Sequence, residues 1–415
     1  MHILPVRGEP CEMPDFLAQR SHADLSAGSY PLGLRHLLAL LAHHGAELAV
    51  EREALDAAGA LATDPQRPPL VRPITLELGS GLTAWVEPDA EGRSHFLDTE
   101  IPMLRDGLCR AWGFEFPGIA VRGESSWLPP GGACILLDEL PLPVFELPVD
   151  EWLCEGTPEA LQVLGIAARP GRHGLVPAGR SWVPEAQRAR VHEAGLDLWG
   201  PTALLTLHLY HVIRAHVAVF VDVDVARRLV DGLGAEEAAL AARVLPARVR
   251  WIELADVMAR LLDEGTALRE PGRIVAALAD LPAGLRDTQA MTERVRHVLL
   301  PGLTGQFLDE AGRLPAWVLG ADAEAAMLAS LQPLGAQGDR MSLPGAAALV
   351  DAVVATVPPD DSALPPPIVV VSPRIRPFLR RLVQQARPRH HVYARAELPP
   401  GAEVLVLGVI DWRPA

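Results

Sequence analysis

Hydrophobic residues recur with two different periods along the chain, and the changes of period divide it into segments. Residues 1–69 carry one amphipathic helical pattern and end in a proline-rich run that is typical of a linker. Over 74–78 apolar and polar positions alternate, which predicts a half-buried strand followed by a turn and a second strand over 82–86. Helical spacing over 97–112 and a further short strand then complete a small β-β-α-β unit.

The remaining segments return to strands, change to helices and then alternate between the two. Parallel strands need crossover connections, so the alternation in the last third predicts a largely parallel sheet. We therefore expect an α+β multidomain protein. Its predicted parts are an N-terminal segment and linker, 1–69; a small first α/β domain, 70–130 plus 185–200; an inserted second α/β domain, 131–184; an all-helical third domain, 201–285; and a C-terminal α/β domain, 286–415.

Composition places the chain among folded proteins and argues against nucleic acid as a partner. Apolar residues make up 49% of the chain, which is enough apolar surface to offset the entropy of ordering. The formal charge of -15 is unsuited to phosphate binding, which relies on clustered cations. All 37 cationic residues are arginine, so chemistry that needs a P-loop or Schiff-base lysine is excluded.

The cysteines and the apolar runs bear on the compartment. None of the four cysteines forms a Cys-x-x-Cys pair, so we expect neither a zinc knuckle nor a redox motif, and a reducing cytosol is the expected location. The sequence has no uncharged apolar stretch of membrane-spanning length and no signal-peptide pattern at its start. We therefore expect a soluble chain.

Candidate chemical groups are few. His208, His211 and His216 lie on one predicted helix, but no carboxylate or cysteine completes a metal site, so no metal is expected. Asp222 and Asp224 precede a helical run and are expected to cap it. No motif specifies an activated nucleophile, and we expect neither an enzyme nor a cofactor.

Trp127 is a candidate partner-binding residue. It lies in the run 123–130, and exposed tryptophans are enriched at interface hot spots. A tryptophan half buried where two subdomains meet would give the same local pattern, and the two interpretations stay open.

Four runs of the sequence stand out by their order and spacing. They contain Ile74-Thr75-Leu76-Glu77-Leu78-Gly79-Ser80-Gly81-Leu82 with Leu128-Pro129-Pro130; His208-Leu209 with Leu229-Val230-Asp231; the stripe 254–262 with Glu264-Gly265 and Arg273-Ile274; and Ser372-Pro373-Arg374 with Leu379-Arg380-Arg381-Leu382 and Glu397-Leu398-Pro399-Pro400. Together they resemble the cytoplasmic half of the export-gate family of type III secretion, which includes flagellar and virulence-injectisome members. The resemblance spans residues 70–411.

The resemblance implies a function without catalysis. It implies a homo-oligomeric ring of about nine copies at the cytoplasmic face of the inner membrane. Such a ring docks export chaperones with their secreted substrates, contacts other export-apparatus proteins and gates protein export. Family members carry a multi-span membrane half ahead of this region, so membrane contact is implied only through an absent or separate N-terminal half. The alternative is a stand-alone chaperone-binding adaptor or a decayed paralogue that does not form rings.

The resemblance also implies where partners bind. Flagellar members carry an Asp-Pro-x-Phe run that contributes to a chaperone-binding cleft in the inserted domain. Alignment on Trp182 puts Pro170 and His173 at the acidic and aromatic positions of that run, and Leu207 where those members carry a threonine. An injectisome-type member is therefore expected, and these four residues join Trp127 as the candidate partner-binding residues.

Overall fold

A computed structural model describes most of the chain beyond residue 70. The described residues are 6–7, 23–24, 71–171, 179–282, 284–333, 339–359, 365–387 and 390–413. The chain divides into two compact units, the first of residues 1–108 and 116–215 and the second of residues 109–115 and 216–415. Helices and several sheets occur in both, so the predicted α+β multidomain class is confirmed.

The first unit contains two larger sheets, one short strand pair and five α-helices among its described residues. Its strands are β1 Val6–Arg7, β2 Ala23–Asp24, β3 Ile74–Leu78, β4 Ile119–Arg122, β5 Gly132–Leu137, β6 Leu140–Pro141, β7 Phe145–Glu146, β8 Glu151–Glu155, β9 Arg169–Pro170, β10 Arg180–Pro184 and β11 Leu198–Trp199. Its helices are α1 Ser80–Thr83, α2 Ile101–Trp112, α3 Pro158–Val163, α4 Arg188–Glu193 and α5 Pro201–Ala215. The last residues of α2 belong to the second unit.

The first sheet has β3 in its middle. The strand order is β4-β3-β5-β6, and β7 also pairs with β5. All five residues of β3 are buried, including Glu77, so the prediction of a half-buried strand is wrong. A central strand packed on both faces also buries the polar positions of its alternation.

The second strand predicted over 82–86 is also wrong. Gly79 is instead the N-cap of the short helix α1, and the amide of Gly81 donates to the carbonyl of Pro130 at 2.9 Å. A Cβ atom added at Gly79 would lie 2.0 Å from the carbonyl oxygen of Pro129. The glycines therefore allow a close backbone approach, and this approach turns the chain into a helix where sequence analysis predicted a hairpin.

A second sheet, of order β11-β8-β10-β9, packs α3 and α4 over a small core that includes Cys154, Leu161 and Val183. The boundary predicted at residue 131 would cut the first sheet, because β5 to β7 pair within it. Strand β11, predicted in the first domain, pairs with β8. The division into four domains stays a prediction, and the pairing favours a boundary after Glu146.

Helix α5 is shorter than predicted from the spacing of His208, His211 and His216. It carries His208 and His211 but ends at Ala215, so His216 lies beyond it, exposed ahead of the 3-10 turn Val217–Phe220. The three histidines are therefore not on one helix.

The second unit contains helices first and a parallel sheet after them. Its further helices are α6 Val223–Asp231, α7 Ala235–Val244, α8 Trp251–Asp263, α9 Pro271–Ala279, α10 Thr288–Leu303, α11 Ala321–Ala329, α12 Ala346–Thr356 and α13 Arg376–Ala386. Its strands are β12 Arg313–Leu319, β13 Leu331–Pro333, β14 Asp339–Met341, β15 Ile368–Val370, β16 Val392–Ala394 and β17 Glu403–Ile410.

The main sheet of this unit has the order β16-β15-β12-β17, and all of its pairings are parallel, as predicted. Residues of α11, α12 and α13 form the larger core on one face, and a smaller core with Phe307 and Tyr393 covers the other. No helix in the described part of the chain has the length and apolar character needed to cross a membrane.

The start of α6 confirms a predicted cap. The carboxylate of Asp222 accepts a hydrogen bond from the amide of Val225 at 2.8 Å. Asp224 lies exposed inside the first turn of the helix, so the prediction that it also caps the helix is wrong.

Asp222→Ala is expected to lower the free energy of unfolding by about 1 kcal/mol, because it leaves a helix N-terminal amide without its acceptor. Asp224→Ala, the matched control, is expected to cost only a few tenths of a kcal/mol. Urea unfolding followed by circular dichroism measures both, and equal effects would contradict the assignment of the cap to Asp222.

Candidate functional site

Trp127 is anchored by a buried carboxylate. Its indole Nε1 donates to Oε2 of Glu77 at 2.7 Å, and the hydroxyl of Ser125 donates to the same oxygen at 2.9 Å. Glu77 is 1% exposed, and the guanidinium of Arg122 lies 3.4 Å from its other oxygen. The Trp127 ring is half buried against the cluster that includes Leu128. Part of the ring therefore remains accessible, and its role with a partner stays a prediction.

Two of the other predicted residues lie on neighbouring strands. Pro170 is exposed on β9 opposite Ser181, and Trp182 follows on β10 with only 3% of its surface exposed. Leu207 is half buried on α5, and His173 lies outside the described residues. The structure thus places Pro170 and Trp182 on adjacent strands but on opposite faces of the sheet, because Pro170 pairs with Ser181 and Trp182 with Arg169. The deeply buried ring of Trp182 also offers a partner little area.

Tryptophans and arginines share one face of the second sheet. In its register Trp182 lies opposite both Leu153 and Arg169, and Trp199 also lies opposite Leu153. Alternation along β10 adds Arg180 to the same side. We call Arg169, Arg180, Trp182 and Trp199 the Trp–Arg face. The core residues Cys154 and Val183 lie on the opposite face.

Cation–π contacts order the Trp–Arg face. The guanidinium carbon of Arg180 lies 4.6 Å from the ring centre of Trp199, and that of Arg169 lies 5.8 Å from the ring of Trp182. Within the described residues, Nη1 of Arg180 is buried and has no hydrogen-bond acceptor. Tryptophan and arginine are enriched at interface hot spots, so the members of the Trp–Arg face that keep accessible area, Arg169, Arg180 and Trp199, are candidate docking residues.

Sequence analysis missed Trp152, Trp199 and Arg180. Trp152 lies on β8, an inner strand of the same sheet, opposite Val183. Arg188 stacks on its ring at 4.1 Å, and its indole donates to Glu185. The signal in the sequence was the alternation in 151–155 and 180–184, which predicts two strands but not their pairing. Without the pairing, three tryptophans from separate segments cannot be assigned to one sheet.

A second polar cluster lies inside the other unit, and we call it the Arg–Glu network. Arg296 on α10 is 1% exposed; its Nε donates to Glu397 at 2.9 Å, and its Nη1 lies 2.8 Å from Glu264. Arg376 on α13 is fully buried; its Nε donates to Glu293 at 2.7 Å and its Nη2 to Glu264 at 2.9 Å. The network therefore ties the helices α8 and α10 to the parallel sheet and its helix α13.

The local fold places each member of the network. Helix α8 ends at Asp263, and Gly265 adopts φ +78°, so the chain turns away directly after Glu264. On α10, Glu293 and Arg296 are three residues apart and share one face of the helix. Glu397 ends the 3-10 turn Arg395–Glu397 and also accepts the amide of Ala394 at 2.8 Å.

Charges in the network shift the pKa values of its members. Burial alone would raise the pKa of Glu264, but the guanidiniums of Arg296 and Arg376 outweigh it and lower that pKa to about 2. Burial raises the pKa of Glu293, which the contact with Arg376 offsets only in part. Burial also raises the pKa of Tyr393, to about 12.

The network is suited to holding elements together and not to catalysis. The carboxylates of Glu264, Glu293 and Glu397 all contact guanidinium groups, so none is free to act as a general base. Among the described residues no three histidine, cysteine or acidic side chains are grouped to hold a metal ion.

Comparisons with known proteins agree on one family. The sequence profile described as the FHIPEP family matches residues 39–403. Low calcium response locus protein D of Yersinia pestis is 24% identical over 319 residues, which cover 76% of this chain and 44% of that protein. Flagellar biosynthesis protein FlhA of Bacillus subtilis is 26% identical over 344 residues, 82% of this chain and 50% of that one. The chain thus spans about half the length of these relatives.

Solved structures show the same fold. The CdsV protein of Chlamydia pneumoniae superposes with a TM-score of 0.71 at 22% identity, covering 84% of this chain and all of that one. The nonameric SctV-C of EPEC superposes with a TM-score of 0.62 at 18% identity, covering 83% of this chain and all of that one. The chain therefore shares its fold with solved proteins that include a cytosolic domain from the type III secretion system, that of EscV. The chain belongs to the FHIPEP family, and the resemblance drawn from four sequence runs is confirmed.

Acid should weaken the Arg–Glu network through Glu264. A carboxylate whose pKa is lower in the folded than in the unfolded state stabilises the fold above the unfolded value, and this contribution is lost as the pH falls. For Glu264 this pH range runs from 4.5 down to about 2. The free energy of unfolding falls by on the order of 3 kcal/mol across it. The raised pKa of Glu293 has the opposite effect: protonation of this carboxyl on acidification favours the folded state and offsets part of the loss at Glu264.

Glu264→Gln is therefore expected to lower the free energy of unfolding at pH 7 by about 3 to 5 kcal/mol, because two buried guanidiniums lose a counterion. It should also flatten the pH dependence below 4.5. Glu236→Gln, at an exposed position on α7, is the matched control. Chemical unfolding of the unsubstituted chain and of both variants gives the free energy of unfolding at each pH from 7 to 3. Parallel pH profiles for the three would contradict the role of Glu264.

Proposed function

We propose that this chain forms a ring in a type III secretion export apparatus, docks chaperone–substrate complexes and takes part in gating protein export. The observation that carries the proposal is the family match, which extends over residues 39–403. The proposed location is the cytoplasmic face of the inner membrane. Membrane contact would come through an N-terminal half, and the relatives are about twice as long as the part that matches this chain.

Ring formation is supported by the neighbours in fold. SctV-C of EPEC and the cytosolic domain of EscV are both described as nonameric. Their identities of 18% and 16% to this chain are low, so the interface residues cannot be transferred one by one. A cyclic ring needs a heterologous interface, in which two different surfaces of each copy meet.

Docking is supported by the chemistry of the Trp–Arg face. Trp199 and Arg180 are half buried, so each retains accessible area for a partner. The hydrogen-bonded loop at Trp127 is a second rigid aromatic position in the same unit. Preorganised aromatic and guanidinium groups lose little entropy when a partner binds.

A role in gating agrees with the construction from small modules. Inter-domain contacts within a chain permit relative motion when they are small, and clefts between modules change shape when the modules move. The Arg–Glu network would keep the second unit rigid during such motion, since its buried charges tolerate no separation from their counterions.

Assembly into rings is expected to depend on protein concentration. Native mass spectrometry and negative-stain microscopy across a concentration series should show a closed oligomer of about nine copies at the highest concentrations. A species that stays monomeric throughout and is not recruited by a purified export platform would contradict the ring. Chaperone binding by such a monomer would favour the stand-alone adaptor.

Docking through the Trp–Arg face is tested separately. Trp199→Ala and Arg180→Ala are each expected to weaken binding of a cognate export chaperone by about tenfold or more, because hot-spot residues carry most of the binding energy. Arg243→Ala, at an exposed position on α7 in the other unit, serves as the control. Calorimetry gives the affinities, and unchanged binding in both face variants would place the docking surface elsewhere.

A further inference from the structure

Strand β17 has an unpaired edge. It is the outermost strand of the parallel sheet, and among the described residues only β12 pairs with it. It spans eight residues, Glu403–Ile410, which makes it the longest strand in the described part of the chain. The backbone groups on its outer side are therefore a template on which another strand can pair.

Beyond its first residue, the outer strand has no charge or proline to protect it against pairing. Edge strands commonly carry a charge or a proline, but residues 404–410 contain neither. Leu405, Val406, Leu407 and Val409 are between 37% and 51% exposed. The register shift opposite Ala316 and Trp317 leaves Leu407 as an extra residue, a bulge that interrupts the edge at one point only.

Carboxylates mark both ends of this apolar run. Glu403 and Asp411 are exposed, and in the described part of the chain neither has an ion-pair partner. The nearby arginines already have acceptors, since Arg313 and Arg413 pair with aspartates and Arg395 donates to a backbone carbonyl. The free charge at both ends of β17 is therefore negative.

This charge pattern discriminates between possible occupants. If two copies paired β17 antiparallel about Leu407, Glu403 of each copy would face Asp411 of the other, and like charges opposite each other destabilise a strand pair. A basic residue at each end of an added strand would be attracted instead. Because both ends are acidic, the attraction holds for either direction of the added strand.

We propose that β17 binds an extended polypeptide segment of a partner by strand addition, and that the segment is apolar in its middle and basic at both ends. Main-chain hydrogen bonds supply the affinity, and the end charges select the segment. The surface is remote in sequence from the Trp–Arg face, and the proposal does not depend on ring formation or on chaperone docking.

One backbone group on the free edge can be removed selectively. The carbonyl of Ile410 accepts from Gly320, so it points toward β12. Because successive residues of a strand point their backbone groups to alternate sides, the amide of Val409 points to the free side. Val409→Pro therefore removes an outer donor without removing a hydrogen bond to β12.

The probe is a fluorescent peptide of nine residues that alternates valine and threonine between two terminal arginines. Fluorescence anisotropy should show it binding to the full chain, and Val409→Pro should weaken the binding by about tenfold or more, whereas Val409→Ala should keep most of it. A peptide with N-methyl groups on alternate amides should not bind. Melting temperatures confirm that each variant folds.

Charge exchange tests the recognition itself. The double variant Glu403→Arg with Asp411→Arg should lose the arginine-ended peptide and bind a glutamate-ended one instead. Absence of peptide binding, or equal binding of both peptides by the unsubstituted chain, would overturn the proposal. A concentration-dependent dimer in sedimentation that Val409→Pro abolishes, with no peptide binding, would identify a second copy as the occupant and would equally overturn it.

Discussion

Two buried guanidinium groups determine how the second unit is put together. Arg296 and Arg376 are almost entirely removed from water, and burying a charge costs several kcal/mol unless counterions and hydrogen bonds replace its hydration. Glu264, Glu293 and Glu397 supply them from three places in the chain. The helices and the parallel sheet therefore cannot move apart without exposing unpaired charge in a dry interior, which makes them one compact unit.

The first unit also contains a buried charged group that needs partners, the carboxylate of Glu77. Glu77 lies in the middle strand of a sheet, and it is satisfied by Trp127, Ser125 and Arg122 from the end of β4 and the segment that follows it. Its ionic partner also comes from a neighbouring strand. In the first unit the buried acid therefore holds the segment that carries the candidate contact residue Trp127.

The surfaces that remain accessible differ in chemistry. The Trp–Arg face offers aromatic rings and guanidiniums, which suits a folded partner with acidic and apolar contacts. Strand β17 offers backbone groups and an apolar edge between two carboxylates, which suits an extended partner.

Sequence analysis correctly predicted the fold class, the order of strand-rich and helical segments, and the family, because hydrophobic period and motif spacing are local properties that can be recognised in a single chain. Sequence analysis also predicted the cap at Asp222. The folded structure was needed to show that 80–83 form a helix, that β5 to β7 belong with β3, and that Trp182 and Trp199 share a face. It also decided that Arg296 and Arg376 are buried. The physical reason is that strand pairing and the sharing of counterions join residues far apart in the chain, and no local period records which distant segment satisfies a buried charge or a free edge.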